Sequence, residues 1–263
     1  MLTVATMITA VIMMIAGGVK PLNATGYLIT FLFCVFFVLT VASMIPAMSS
    51  GPLGLTVLIQ NSSLMVPVVV GILFWNEKLT WLKGIGIAFI LVLLVLSAFA
   101  EQDDGEKSGW NKKRWILFTG LAFIGDSALS ILQSMMSRAC TDTDSITFTF
   151  WTSVFSVLVA GLLTLYCYLR KCNHPLIRDE RGKNKLMPLS LCYLGIGVGT
   201  AGGNCFTIMA LLTMTSLVLF PIRMGGLVLV MWLLGILVYR EKVTRTGLLM
   251  LIIGLAGIIM LNM

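Results

Sequence analysis

Charge is scarce in this chain. Only 11% of its 263 residues are Asp, Glu, Lys or Arg, against 58% hydrophobic, where a water-soluble domain carries about 25% charged residues. So few polar groups cannot cover a water-facing surface, and the composition implies that lipid is the solvent for most of the molecule. Histidine is nearly absent: His174 stands alone in a loop before Pro175, which excludes histidine triads and multi-histidine metal sites. The six cysteines (Cys34, Cys140, Cys167, Cys172, Cys192 and Cys205) show no C-x-x-C spacing and read as small buried apolar side chains. No phosphate-binding loop occurs: the glycines Gly195, Gly199, Gly202 and Gly203 lie inside an apolar run with no strand before them. No cofactor and no metal is therefore expected, and no enzymatic activity. No apolar run alternates with period two, which argues against a membrane β-barrel.

What the chain has instead is a series of long apolar runs. About 20 apolar residues in helical form cross the hydrocarbon of a bilayer, and roughly nine stretches approach or meet that length: 1–17, 26–49, 52–75, 81–100, 115–138, 145–170, 187–210, 214–239 and 246–262. Helices satisfy their own backbone in lipid. The expected fold is all-α, a polytopic membrane helix bundle, and its expected location is a cell membrane, crossed many times. The formal net charge of +7 is not a sign of nucleic-acid binding, because the basic residues sit in loops and at helix ends and are not interleaved with exposed aromatics. Trp75, Trp81, Trp110 and Trp115 lie at helix ends, as an aromatic belt requires.

One pattern occurs twice. "GILFWNEKLT" (Gly71 to Thr80) and "GILVYREKVT" (Gly235 to Thr244) each close one apolar helix and open the next. Gly71, Ile72, Leu73, Glu77, Lys78 and Thr80 recur as Gly235, Ile236, Leu237, Glu241, Lys242 and Thr244. Chance seldom reproduces the charged pair and the threonine at one offset. Counted from these turns, the later half (115–263) holds five helices and the earlier half (1–100) four, with 101–114 as the linker. Units with an odd number of helices sit upside down relative to one another in a membrane, giving inverted repeats.

With these turns, the segment "GPLGLTVLIQNSSLMVPVVVGILFWNEKLT" and the terminal "GLAGIIML", the chain resembles the EamA-type branch of the drug/metabolite transporter superfamily. The resemblance implies two five-helix repeats, from which the first helix is missing here. It also implies a secondary transporter for a small organic metabolite, amino-acid-like or drug-like. Non-transporting scaffold or assembly proteins are the alternative reading, and an intramembrane enzyme a remote one. The orientation expectations conflict: the loops 48–52, 101–114, 170–186 and 240–245 hold 13 of the Lys and Arg residues, which by the positive-inside rule leaves the C-terminus outside, whereas the resemblance implies a cytoplasmic C-terminus.

Two ionisable residues stand deep in apolar runs, where a charge costs from about 3 to over 10 kcal/mol. Asp126 falls near the middle of "WILFTGLAFIGDSALSILQSMMSR". At about 100° per residue, Thr119, Asp126, Ser127, Ser130, Gln133, Ser134 and Ser137 share one stripe, which suits a wet cavity wall or a packed polar interface. Arg223 stands between Pro221 and the pair Gly225–Gly226. A helix broken near the midplane is expected there, as in transporters, with Asp126 the natural counter-charge for Arg223. Two further helices add polar groups: Thr56, Gln60 and Ser63 with Asn61 to one side, and Thr200, Asn204 and Thr207. The candidate substrate-binding set is Asp126, Arg223, Gln60, Asn61, Ser130, Gln133 and Asn204. The expected partners are a small-molecule substrate, membrane lipid and a coupling proton carried by Asp126.

Overall fold

A computed structural model of the chain describes residues 21–100, 112–139, 145–169, 186–237 and 245–262, with Ile8, Val11, Ile12 and Ile15. The described residues are almost wholly helical, with no strand among them. The helices are α1 (Ala24–Ser50), α2 (Leu53–Ser62), α3 (Met65–Phe74), α4 (Trp81–Ala100), α5 (Lys112–Ala139), α6 (Ser145–Leu169), α7 (Leu186–Thr213), α8 (Ser216–Leu237) and α9 (Arg245–Asn262). Four segments are long and apolar enough to cross a membrane: Ala24–Ser50, Leu55–Phe74, Lys112–Ala139 and Gly195–Thr213. Most of the expected span 1–17, most of the linker 101–114 and the second turn's Glu241, Lys242 and Thr244 lie outside the described residues.

The chain forms two compact units, each drawing on both halves of the sequence. One contains residues up to Val38 together with Met135–Leu212, and the other contains Leu39–Ser134 and Thr213–Met263. Helices α1 and α5 therefore contribute to both.

In the first unit, aromatic side chains join α1 to α6. Tyr27 meets Trp151 edge-on at 5.2 Å between ring centres, Phe33 meets Phe148 at 5.3 Å, and Phe31 meets Phe155 at 5.9 Å. Edge-to-face pairs of this kind add about 0.5–1.5 kcal/mol each beyond burial. Phe33, Cys34 and Phe148 are fully buried.

In the second unit, α4 packs most extensively on α9, α8 packs on α3, α4 and α9, and α2 packs on α4. Small residues let α4 and α9 approach. A Cβ on Gly86 would stand 2.9 Å from Leu261 Cγ and 3.0 Å from the Gly257 carbonyl oxygen, and one on Gly257 would stand 3.0 Å from Ile90 Cδ1. Close backbone approach of this type is how apolar helices gain packing energy when lipid offers them no hydrophobic drive.

Two expectations about elements are corrected. The span 52–75 is not one helix: it breaks into α2 and α3 at Ser63–Leu64. Pro67 is the cause, because it has no N–H to give the Ser63 carbonyl four residues earlier. The chain tightens there instead, with the N–H groups of Ser63, Leu64 and Val66 each donating three residues back, to Gln60, Asn61 and Ser63 at 3.0–3.2 Å. The break expected around Arg223 does not occur, and α8 runs unbroken through Pro221. Pro221 lies in the second turn of α8, where the hydrogen bond it forgoes is to the carbonyl of Leu217 at the very start of the helix. Trp115 is also no belt residue. It is buried, and its indole Nε1–H donates to Thr56 Oγ1 at 2.8 Å.

Candidate functional site

The turn between α3 and α4 explains why Gly71 and Glu77 belong to one motif. Asn76 takes the left-handed backbone conformation (φ 56°) and turns the chain so that Glu77 points back. The buried Glu77 carboxylate then accepts from the N–H groups of Ser216 (3.2 Å, Oε1) and Leu217 (2.8 Å, Oε2) at the start of α8. Those donors have no partner within the helix, and a carboxylate there also meets the positive end of the helix dipole. A Cβ on Gly71 would stand 2.9 Å from Glu77 Oε2, so the glycine makes room for the cap. Charge, turn and glycine thus serve a single interaction between the first-half turn and a second-half helix.

Asp126 lies near the middle of α5, about 20 Å from either end at about 1.5 Å per residue. The helix break sits directly against it. Ser63 Oγ donates to Asp126 Oδ2 and also lies 2.6 Å from the Gln60 carbonyl oxygen. Ser127 Oγ reaches the Ser63 carbonyl at 3.4 Å and donates to the Phe123 carbonyl at 2.8 Å. The carbonyl freed by Pro67 is thus met by the residue next to the acid. Arg223 acts on Asp126 by charge through space, while the hydrogen bond to the carboxylate comes from Ser63. The Arg223 side chain is exposed, and Asp126 and Asn61 are each half-buried. These three, on α8, α5 and α2, are the accessible polar groups of the predicted set in this unit.

The rest of the α5 stripe is a packed polar interface and not an open wall. Thr119, Ser127, Ser130, Gln133, Ser134 and Ser137 are all buried. Their hydroxyls turn back onto their own helix where the geometry allows: Ser130 Oγ donates to the Asp126 carbonyl and Ser134 Oγ to the Ser130 carbonyl, both at 3.1 Å. Ser216 Oγ reaches Ser134 Oγ at 3.2 Å. Gln60 is buried beside the break. Of the predicted residues, Gln60, Ser130 and Gln133 are therefore packing groups near the acid, and Asp126, Asn61 and Arg223 can meet a solute.

Asn204 belongs to the other unit. There it lines a small hollow with Phe37 from α1, Thr149, Thr152, Ser153 and Ser156 from α6, and Thr200 and Ala201 from α7. The sequence reading singled out Asn204 and Thr200 and missed the α6 side. The signal was legible: Thr149, Thr152, Ser153 and Ser156 recur at helical spacing in an otherwise apolar run. Ser63 was seen as one of a stripe but not as the partner of Asp126, because nothing in the linear pattern says that α2 and α5 meet there.

No family model and no curated protein matches the chain. Among solved structures, one described only as "Crystal structure of protein" superimposes with a TM-score of 0.74 at 13% identity, over 100% of this chain and 88% of that one. At that identity the likeness is one of fold. The chain is thus an all-helical protein with a solved fold and four helices of membrane-spanning length and composition.

Proposed function

We propose that the chain is a secondary transporter that carries a small organic metabolite, amino-acid-like or drug-like, across a cell membrane by alternating access. The observation that carries the reading is the setting of Asp126. A carboxyl group in mid-helix meets a helix break, takes a hydroxyl hydrogen bond from Ser63, and stands within reach of the exposed cation Arg223. A buried acid of this kind is costly in lipid and marks ion or substrate pathways. Irregular backbone at such depth is tolerated where it lines protein or a cavity, and transporters place their sites at discontinuous helices.

The repeat arrangement supports the same reading. Helices α4 and α9 follow the two E-K-x-T turns and pack on each other, as do α3 and α8, which precede them. A pseudo-twofold relation between inverted halves brings equivalent helices together in this way. The resemblance to EamA-type transporters points in the same direction.

In this account Asp126 carries the coupling proton, and Arg223 selects substrates bearing a carboxylate or another anionic group. The test uses purified protein in liposomes loaded with a pH-sensitive dye. Amino acids and small organic ions are added one at a time. The expected result is solute-driven proton movement that Asp126→Asn abolishes. Equal proton movement in Asp126→Asn would remove the coupling role, and no solute-driven movement with any compound would remove the proton from the mechanism.

A further inference from the structure

The hollow in the first unit has a hydrogen-bond arithmetic of its own. Ser153 Oγ donates to the Thr149 carbonyl at 2.9 Å, Ser156 Oγ to the Thr152 carbonyl at 2.7 Å, and Thr200 Oγ1 to the Ile196 carbonyl at 2.7 Å. Each hydroxyl has one proton, and these three are committed to their own helices. What they offer the hollow is lone pairs. The Cys34 thiol lies 2.9 Å from the Thr152 carbonyl and 3.3 Å from Ser156 Oγ, which closes the side of the hollow next to α1. Thr152 is only 5% exposed, and its Oγ1 has no partner. An orphaned buried hydroxyl costs about 1–3 kcal/mol, so its place in the wall of a cavity calls for an occupant.

That occupant is a hydrogen-bond donor. The described lining contains no charged side chain: hydroxyls, the Asn204 carboxamide and the Phe37 ring make it up. An aromatic ring beside acceptor oxygens is the setting that recognises an ammonium group, through the ring face and N–H donation together. The hollow has room for one water-sized group, which matches –NH3+ and excludes a bulky quaternary amine.

We propose that this hollow, formed by Thr152, Ser153, Ser156, Thr200, Asn204 and Phe37, is a binding site for a small protonated primary amine. It lies apart from the Asp126 residues in sequence and unit, and it stands whether or not the transport reading does. The test measures the thermal stability of the purified full chain at constant ionic strength in ammonium, methylammonium, tetramethylammonium, sodium and acetamide. Ammonium and methylammonium are expected to raise Tm in a saturable way, and the others are not. Thr152→Val and Ser156→Ala are expected to abolish the rise, each serving as the check should the other fail to fold. Asp126→Asn is expected to keep it.

An equal rise with tetramethylammonium or sodium would overturn the site, because neither donates a hydrogen bond. An equal rise with acetamide would replace the ammonium by a neutral amide and overturn the charge assignment. No rise with any of them would leave the hollow to a water molecule. A rise lost in Asp126→Asn but kept in Thr152→Val would move the amine to the acid, which also overturns it.

Discussion

At Asp126, each neighbour has a distinct task. Ser63 supplies the hydrogen bond, Ser127 meets the carbonyl that Pro67 frees, and Arg223 supplies the opposing charge. Removing one member of such a charge couple strands the other in a poor solvent for ions. Arg223→Gln is therefore expected to reduce the preference for anionic over neutral substrates while the protein still folds. A transport assay across a matched pair of compounds checks it, and an unchanged ratio would make Arg223 structural. Glu77 makes a separate prediction. Glu77→Ala removes a cap shared by two helix N–H groups and is expected to cost about 1–2 kcal/mol, read as a lower Tm with substrate preference intact. The sequence showed Asp126 and Arg223 plainly, because charge in an apolar run needs no structural context to be noticed. It could not show Ser63 as the acid's partner, since hydroxyls in apolar helices usually bond their own backbone, as Ser130, Ser134 and Ser153 do here.

Among the elements, the two prolines teach the most. Pro67 and Pro221 both stand inside apolar runs, yet Pro67 ends a helix and Pro221 does not. The difference lies in position. Pro221 falls near a helix start that Glu77 already caps, whereas Pro67 orphans a carbonyl in the middle of a span. Ser127 and the tight turn at Ser63 take up that carbonyl, which makes the broken conformation sustainable there. Neither the cap nor Ser127 adjoins its proline in sequence, so the break was assigned to the wrong helix. Pro67→Ala restores the missing donor. It is expected to mend α2 and α3 into one helix, keep or raise Tm, and lower transport severalfold by withdrawing Ser63 from Asp126. Unchanged transport would show that the break serves packing only. The α4–α9 crossing is a second element-level case. Gly86→Leu cannot be accommodated against Leu261 and the Gly257 carbonyl and is expected to destabilise by at least about 1–3 kcal/mol, the usual cost of overpacking, in a thermal melt.

For the whole molecule, composition and span length were sufficient to give an all-helical protein with membrane-spanning segments, because lipid imposes that answer on any chain this poor in charge. The paired E-K-x-T turns were legible as a repeat, and their purpose became clear only when Glu77 was found at the start of α8. The compact units, each assembled from both halves of the chain, could not be read from the sequence, since helices that leave one half to pack with the other carry no local mark. The central claim is that the polar groups around the break face water from each side of the membrane in turn. Asn61, half-buried beside the break, reports on this without knowledge of the substrate. The measurement is the reaction of Asn61→Cys, in a background with the native cysteines replaced, with a membrane-impermeant thiol reagent added to either side of oriented vesicles. Labelling from both sides is the predicted result, and labelling from one side only, or from neither, would contradict it.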